Sequence, residues 1–436
     1  MNFIETCREF IGIESTPSHG NYEAAEFVGR VATAMGFFVE KQKETLNGLE
    51  QINLIIRPQK KSPQEELLLQ THLDTVDPGN FGQWKKTQAN PFNASIYGKE
   101  MYGLGVADTK LDFLCKLFAA KNFVSTSFRM PFVLVGTYGA QSGMAGAINL
   151  VRRKLIRAKM ALVGEPTSLQ LIHAGQGLAV VEINIPFSPE EIDYRAKHDL
   201  MESSTTQSRI FHGKAAHSGH PELGENAIVK MLDYLVQLPE GLAIMSLDGG
   251  VSFNSVPDFS VLEIDMVSGF KDPIVPKIAH ILKAAKQVEG EFSHFSTDPQ
   301  EQVPTMNIGT IRTYDDQIRV IASCRMPYAV SEKQYNTWMT RLGKACEEAH
   351  SSFRILDYKK AFHVAKTSEF LQGCCTILEG LDKSAKPQTI AGATEASVFS
   401  RLGLECLVFG PGKSLGNSHA PDEKVSIDDL ELAIEF

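Results

Sequence analysis

The chain has 436 residues, of which 43% are hydrophobic and 22% are charged, and its formal net charge at pH 7 is -9. This composition is that of a folded globular protein and excludes a mostly disordered chain. Because we find no basic stripe that could neutralise a run of phosphates, and no apolar run of the ~20 residues that a membrane helix needs, we expect neither nucleic acid nor a membrane as a partner.

The N-terminal segment and the cysteines both indicate a reducing compartment. The first residues, MNFIETCREFIGIEST, include Glu5 and Glu9 and lack the long apolar region of a signal peptide. The seven cysteines are an odd number and are scattered without CxxC spacing, which indicates reduced thiols. We therefore predict a cytoplasmic protein.

The first predicted elements alternate between helix and strand. Apolar residues at helical spacing predict a helix over 21–37, and the apolar runs QINLIIR and ELLLQTHLD predict buried strands at 51–57 and 66–74. Two further strands are predicted in PFVLVGTYG (131–139) and MALVGEP (160–166). This alternation predicts an α/β domain with a mainly parallel sheet that helices cover on both faces.

The middle of the chain has a different pattern. From about Ala179, apolar and polar residues alternate with a period of two, as in AVVEINIPF and in IRVIASCRM (318–326), with a helical run at 225–238 between them. This predicts a small α+β unit with one open sheet face. After Pro327 a long helical run leads back to strand-like LECLVFGPG (404–412).

The two patterns predict a two-domain organisation. Residues 1–178 and 327–436 are expected to form the α/β domain, and residues 179–326 are expected to form the inserted α+β domain. The chain is long enough for two cores of ordinary size.

A histidine and an aspartate lie at the end of the second predicted strand. In LQTHLDTVDP (69–78), His72 and Asp74 are alternate residues and can point to the same side. The histidine is placed to bind a metal ion while the aspartate holds its ring in the right tautomer. The alternative is a histidine with a purely structural role at a strand end.

Three more candidate ligands follow turns or strand-like runs. Asp108 lies in the glycine-rich turn YGLGVADTK before a predicted helix, where a carboxylate can bridge two cations, or can simply favour the helix start. Glu165 follows a strand in LVGEPT, and His419 lies in the loop FGPGKSLGNSHAPDE. With His72 they form a nitrogen and oxygen ligand set that zinc or another borderline divalent cation accepts.

Six motifs in this order resemble one enzyme family: HLDTV, YGLGVADTK, GEPT, GKAAHSGHPELGENAI, FNSVPD and FGPG followed by NSHAPDE. The chain is similar, over nearly its whole length, to the zinc-dependent deacylases and exopeptidases that include acetylornithine deacetylase, succinyl-diaminopimelate desuccinylase, carboxypeptidase G and aminoacylase. The α/β domain would then be the metal-binding domain, and the inserted domain would serve as lid and dimerisation domain.

The resemblance implies a two-metal site. It places His72 and Glu165 on one cation and His419 on the other, with Asp108 bridging the two and Asp74 orienting His72. Zinc is the expected metal, as one or two ions, although cobalt or manganese would suit the same ligands.

The resemblance also implies a substrate site and a homodimer. His217 matches the residue that reaches a neighbouring subunit's site and polarises the substrate carbonyl. Asn254 and Arg325, together with Gly392 and Thr394 of the loop AGATEA, match positions near the substrate's carboxylate. The expected ligand is a small N-acyl amino acid or a short peptide.

The chain departs from the family at its catalytic pair. Where the family has two adjacent glutamates, a general base and a metal ligand, the run TYGAQSGMAGA (137–147) places Ala140 and Gln141. Alanine cannot accept a proton, and loss of a general base typically removes a factor of ~10² to 10⁴ in rate. Glutamine keeps an amide oxygen but brings no charge, so we expect a weak second metal ligand.

Three hypotheses remain open. The chain could be a hydrolase that uses another base, for which Glu395, Asp422 and Glu423 are the nearest candidates in the sequence, or a single-metal enzyme of low or altered activity. It could also be a non-catalytic relative that binds an N-acyl amino acid or peptide. We favour a metal-dependent amidohydrolase that acts on a small carboxylate-bearing amino acid derivative, with the usual base lost.

Overall fold

The computed structural model describes residues 2–60, 64–198, 206–239, 241–266, 270–295 and 303–436. The chain forms two compact units, Met1–Gly175 with Phe362–Phe436, and Gln176–Ala361. The second unit is therefore an insertion in the first. Among the described residues, none of the helices combines the length and the apolar composition that a bilayer crossing requires.

The described residues form 21 strands and 11 α-helices. The strands are β1 (Phe38–Leu46), β2 (Leu49–Arg57), β3 (Glu66–His72), β4 (Ser95–Tyr97), β5 (Glu100–Tyr102), β6 (Phe132–Thr137), β7 (Ala158–Val163), β8 (Ile172–Gly175), β9 (Gly177–Pro186), β10 (Gln207–His212), β11 (Ala216–His217), β12 (Leu242–Gly249), β13 (Ser255–Val256), β14 (Phe259–Met266), β15 (Thr305–Thr313), β16 (Gln317–Met326), β17 (Ser352–Lys359), β18 (Phe362–His363), β19 (Gln388–Ile390), β20 (Glu405–Val408) and β21 (Lys424–Ser426). The helices are α1 (Phe3–Ile11), α2 (Tyr22–Ala34), α3 (Lys110–Lys121), α4 (Ala145–Arg153), α5 (Pro189–His198), α6 (Ala227–Leu235), α7 (Ile274–Gly290), α8 (Glu332–Glu348), α9 (Glu369–Gly380), α10 (Ala396–Phe399) and α11 (Ile427–Glu435).

The first unit is built on a mixed sheet with a parallel centre. Its strand order is β1-β2-β6-β3-β7-β20-β8-β18, and β19 pairs with β8. Strand β3 runs parallel to both β6 and β7, and β20 runs parallel to β7, whereas β1, β2 and β18 pair antiparallel. The predicted fold class, an α/β domain with a mainly parallel sheet and an inserted α+β domain, is confirmed.

Alternate residues of the central strands enter two separate cores. Leu54 and Leu134 belong to the core beneath α1, α2 and α3, whereas Ile55, Val133 and Val135 belong to the core beneath α4 and α10. Because successive side chains of a strand point to opposite faces, strands buried on both faces are continuously apolar. This is why the runs that predicted these strands contain few polar residues.

The second unit is an antiparallel sheet with helices packed against it. The strand order is β10-β14-β12-β15-β16-β9-β17, and every neighbouring pair is antiparallel. Buried side chains of α6, α7 and α8 pack on apolar residues of this sheet. The period-two pattern after Ala179 therefore corresponds to strands with one face on the core.

The border between the units differs from the prediction on its C-terminal side. Residues 327–361 belong to the second unit, whereas the sequence pattern assigned them to the first. Strand β17 pairs with β9, with Ser352 opposite Asn184, and α8 packs against α7. A local pattern cannot reveal this because the pairing joins strands that are far apart in the sequence.

Candidate metal centre

Four adjacent parallel strands of the first unit deliver the predicted site residues to one edge. In the sheet order β6-β3-β7-β20, the strands lead to Gln141, His72, Glu165 and His419 respectively. The carboxyl ends of parallel strands are where α/β sheets place their ligands. The structure therefore brings four of the predicted site residues to the same edge of the sheet.

His72 is buried, and its two ring nitrogens face different groups. Nδ1 lies 2.9 Å from the backbone oxygen of Asp74, and Nε2 lies 3.8 Å from Oδ1 of Asp108. A proton on Nδ1 would donate to the backbone oxygen of Asp74 and leave the lone pair of Nε2 facing Asp108. The carboxylate of Asp74, which we expected to hold the ring, lies at 3.7 Å from Nδ1 and accepts instead from the backbone N–H groups of Ala140 and Gln141, both at 3.1 Å.

Asp108 lies at the centre of the site, and its two oxygens point to two sets of groups. Oδ1 faces His72, whereas Oδ2 lies 2.5 Å from Nε2 of His419 and accepts from Nε2 of Gln141 at 3.1 Å. The backbone around Asp108 is held by Glu423, whose Oε1 accepts from the N–H groups of Ala107 at 2.8 Å and of Asp108 at 3.0 Å. This is the arrangement that a bridging carboxylate requires.

Glu165 completes the first of these two sets. One ligand atom each from His72, Asp108 and Glu165 lies within 4.8 Å of the other two, close enough for a single ion to contact all three. Burial, with a smaller contribution from the neighbouring Asp108 carboxylate, raises the pKa of Glu165 to about 8. A bound cation would stabilise the charged form of this buried carboxylate.

The second set, which faces Oδ2 of Asp108, contains fewer charged groups than the first. It contains the imidazole of His419, which is 47% exposed, and the amide of Gln141, whose Nε2 lies 3.4 Å from Nε2 of His419. If the side-chain amide of Gln141 were rotated by a half-turn, its oxygen instead of its nitrogen would face His419. An amide oxygen, however, carries no net charge. The second set therefore offers a cation fewer charged donors than the first.

The charges around the site fit a bound cation. Burial disfavours the charged form of the His72 ring, but the carboxylates of Asp108, Asp74 and Glu165 together raise its pKa to about 9. Among the described residues, no lysine or arginine forms an ion pair with Asp74, Asp108, Glu165, Glu395 or Glu423. An excess of buried carboxylates beside two imidazoles is the donor chemistry that zinc and similar ions accept.

The candidate replacement bases lie in different environments. Glu395 accepts hydrogen bonds from Thr137, at 2.8 Å, and from Gln70, and burial raises its pKa to about 7. Burial also raises the pKa of Glu423 to about 7, but this carboxylate holds the Asp108 loop. Asp422 accepts from the backbone N–H of Lys86 at 2.8 Å. Among the described residues, one oxygen of Glu395 and one of Glu423 have no hydrogen-bond partner.

A buried ion pair supports the strand ends, and sequence analysis missed it. Lys116 donates to Oδ2 of Asp112 at 2.6 Å, to the backbone oxygen of Gln70 at 2.9 Å and to the hydroxyl of Thr71 at 2.9 Å. Thr71 precedes His72, so the pair lies directly behind a candidate ligand. The signal was a pair of opposite charges at i,i+4, Asp112 and Lys116, within the mainly apolar run LDFLCKLFAA of α3.

The predicted carboxylate-binding residues of the second unit also lie together. Nη2 of Arg325 donates to Asn254 at 3.1 Å and lies 3.4 Å from the hydroxyl of Ser218. Burial lowers the pKa of Arg325 to about 10, and burial together with Arg325 lowers the pKa of His217. Nδ1 of His217 accepts from the backbone N–H of Gly219 at 3.1 Å, so its Nε2 is the other nitrogen available to a ligand.

The loop that follows β19 belongs to the first unit. The hydroxyl of Thr394 accepts from the backbone N–H of Ala396 at 3.2 Å and so shapes the start of α10. A Cβ added at Gly392 would meet no atom within 4 Å, so this glycine borders open space.

Comparison with known proteins gives consistent matches. Residues 68–436 match the sequence pattern of Peptidase family M20/M25/M40. The chain is 24% identical over 435 residues to the acetylornithine deacetylase of Myxococcus xanthus, covering 98% of this chain and 93% of that protein.

Two solved structures have a similar fold. The aminoacylhistidine dipeptidase of Vibrio alginolyticus superposes with a TM-score of 0.66 at 16% identity, covering 99% of this chain and 94% of that one. An M20 family metallo-carboxypeptidase of Sulfolobus solfataricus superposes with a TM-score of 0.62 at 16% identity, covering 100% of this chain and 97% of that one.

Proposed function

Because the chain belongs to peptidase family M20/M25/M40, we propose that it is a metal-dependent amidohydrolase that acts on a small, carboxylate-bearing amino acid derivative. The reaction would remove an acyl group from the amino acid or cleave a peptide bond to it. The names of its relatives, a deacetylase, a dipeptidase and a metallo-carboxypeptidase, describe reactions of this kind. Turnover would be weak or altered, since Ala140 stands where the resemblance places the general base.

The observation that carries this proposal is the division of the Asp108 carboxylate between two ligand sets. His72 and Glu165 with one oxygen of Asp108 would hold the first cation, and His419 with the other oxygen would hold a second, to which Gln141 would contribute weakly. Zinc is the expected metal, and cobalt or manganese are alternatives. Such a cation supplies Lewis-acid polarisation of the amide carbonyl and lowers the pKa of water.

The second unit would supply the groups that recognise the substrate. The buried guanidinium of Arg325 suits bidentate binding of a carboxylate, and Asn254 already orients it. His217 would donate a hydrogen bond to the substrate carbonyl from Nε2. By the family resemblance, His217 would act in the partner's site of a homodimer, and Gly392 and Thr394 would face the substrate's carboxylate.

Proton transfer is the step with no obvious residue. The side chain of Ala140 cannot accept a proton, and its backbone N–H is already bound to Asp74. The free oxygens of Glu395 and Glu423 are the acceptors that the described residues offer near the ligands. Of these two, Glu395 is the better candidate because Glu423 is needed to hold the loop of Asp108.

A second candidate function is binding without turnover. The observation that favours it is that both positions of the family's catalytic pair lack a carboxylate, while His72, Asp108, Glu165 and Arg325 are retained. In that case the protein would bind an N-acyl amino acid or short peptide and release it unchanged.

Metal content and turnover together test these proposals. Elemental analysis of protein purified without chelator should find at least one equivalent of metal per chain, and His72→Ala should lose it. Hydrolysis of a panel of N-acyl amino acids and dipeptides that vanishes in His72→Ala would support the amidohydrolase. Metal binding and ligand binding without any hydrolysis would support the second function, and protein that binds neither metal nor ligand would contradict both.

A further inference from the structure

A cleft of about 540 Å³ lies in the first unit, at the edge of the sheet where the parallel strands begin. Its floor includes Arg57, the last residue of β2, and Glu66, the first residue of β3. His72 is at the opposite end of β3, so six residues of extended strand, roughly 20 Å, separate the cleft from the candidate metal centre. The two sites are therefore distinct.

The cleft carries an excess of positive charge. Arg57, Lys60, Lys154 and Arg157 line it, against two acidic residues. One of these, Glu66, is already neutralised, because Nε and Nη2 of Arg57 donate to its two oxygens at 2.7 and 3.0 Å. In the part of the chain that the structure describes, no ion pair involves Lys60, Lys154 or Arg157. Such a local surplus is unusual in a protein whose net charge is -9.

The guanidinium of Arg57 is held in place for a ligand. Besides Glu66, its Nη2 contacts the backbone oxygen of Leu155 at 3.4 Å, and only 13% of the side chain is exposed. Its remaining nitrogen, Nη1, has Glu40 at 3.8 Å, which is beyond hydrogen-bond distance. Because the planar group is fixed before binding, an oxyanion at Nη1 would cost little side-chain entropy.

One wall of the cleft is apolar. The ring of Phe38 is 50% exposed at this edge, and Leu155 also lines the cleft. Four cations on a flat surface would be solvated and would hold no ligand. Here they surround a concavity that has both a fixed guanidinium and an apolar wall, which is the composition of a small-molecule site.

We propose that this cleft is a second ligand site, which binds a small organic oxyanion with an apolar body. Arg57, Lys60, Lys154 and Arg157 would bind the oxyanion, and Phe38 would contact the apolar part. The oxyanion can be a phosphate or a carboxylate, since both accept hydrogen bonds from fixed guanidinium and ammonium groups.

Calorimetric titration of the full chain with phenyl phosphate, phenylacetate and inorganic phosphate tests the proposal. The titrations are run at low salt, with and without a chelator, so that binding at the candidate metal centre is recognised by its loss on chelation. We expect binding of phenyl phosphate or phenylacetate that persists with chelator and weakens as salt is raised. Whichever of the two compounds binds more tightly shows whether the preferred oxyanion is a phosphate or a carboxylate. Absence of chelator-resistant binding of either compound would overturn the proposal.

Charge-reversal variants test whether the ligand binds in this cleft. Lys154→Glu combined with Arg157→Glu should weaken binding by about tenfold or more, since two attractive charges become repulsive. The matched control is Lys283→Glu combined with Lys344→Glu. Both lysines are exposed residues of the second unit, and neither lines the cleft.

The control should leave the affinity within about twofold, since it makes the same change in net charge without altering a residue that lines the cleft. Equal affinities in the two double variants would overturn the assignment. Phe38→Ser gives an independent test, because it should weaken phenyl phosphate but leave inorganic phosphate unchanged. Circular dichroism confirms that each variant is folded.

Discussion

The buried pair of Asp112 and Lys116 should make a large contribution to stability. Their side chains are only 4% and 8% exposed, and the ammonium also binds the backbone oxygen of Gln70 and the hydroxyl of Thr71. In Lys116→Met the carboxylate of Asp112 would stay buried with the Thr71 hydroxyl as its remaining partner. Removing one member of a buried ion pair typically costs about 3–5 kcal/mol.

The same loss can be expressed as a melting temperature. The first unit, which contains Lys116, has 250 residues. For a unit of that size each kcal/mol changes the melting temperature by about 2–4 °C, so this unit should melt ~6–20 °C lower in Lys116→Met than in the parent. Urea unfolding followed by circular dichroism gives the free energy of unfolding, and calorimetry gives the melting temperature. Zinc titration of the same variant should also show weaker binding, because Thr71 directly precedes the candidate ligand His72.

The exposed pair of Asp193 and Lys197 is the matched control. It has the same residue types and the same i,i+4 spacing, but its side chains are 63% and 62% exposed. Lys197→Met should therefore change stability by less than about 0.5 kcal/mol.

A double variant, Asp112→Asn with Lys116→Met, should recover about 1–3 kcal/mol relative to Lys116→Met, because the unpaired charge is gone. If Lys116→Met and Lys197→Met destabilise equally, the reasoning about burial is wrong.

Three further predictions concern the site and its surroundings. Ala140→Glu should raise hydrolysis of an N-acyl amino acid substrate by ~10² or more in steady-state assays, whereas the neighbouring Ser142→Glu should not; equal effects would refute the assignment of the base position. Zinc at 100 times its dissociation constant should add about 2.7 kcal/mol of stability, measured as a thermal shift, and Asp108→Asn should abolish the shift; a shift that persists would place the ion elsewhere. Gly164→Ala should cost about 1–3 kcal/mol in urea unfolding, because its Cβ would lie 1.9 Å from a carboxylate oxygen, whereas Gly373→Ala in α9, with no atom within 4 Å, should stabilise by up to ~1 kcal/mol.

Much of the candidate site could be predicted because each ligand follows its own strand. His72, Glu165 and His419 come after apolar runs, and buried parallel strands are recognisable as such runs from the sequence alone. The parallel strands of one sheet end at one edge, so residues that are far apart in the chain could be expected to meet. The six ordered motifs added the family, and with it the hypothesis that Ala140 occupies the position of the general base.

Other features depend on contacts between distant residues. The assignment of residues 327–361 to the second unit follows from the pairing of β17 with β9. The contact of His72 with the backbone oxygen of Asp74, instead of its carboxylate, depends on where the N–H groups of Ala140 and Gln141 lie. No local pattern specifies either contact.

The sequence by itself therefore determined the fold class, the family and the residue types at the strand ends, because periodicity and short motifs are local properties of the chain. Only the tertiary structure decided how Asp108 divides its oxygens and that Asp112 and Lys116 lie behind the candidate ligand His72. It also decided that basic residues from β2 and from the segment between α4 and β7 surround one cleft. These depend on strand order and register, which are fixed by the packing of the whole domain and not by any segment alone.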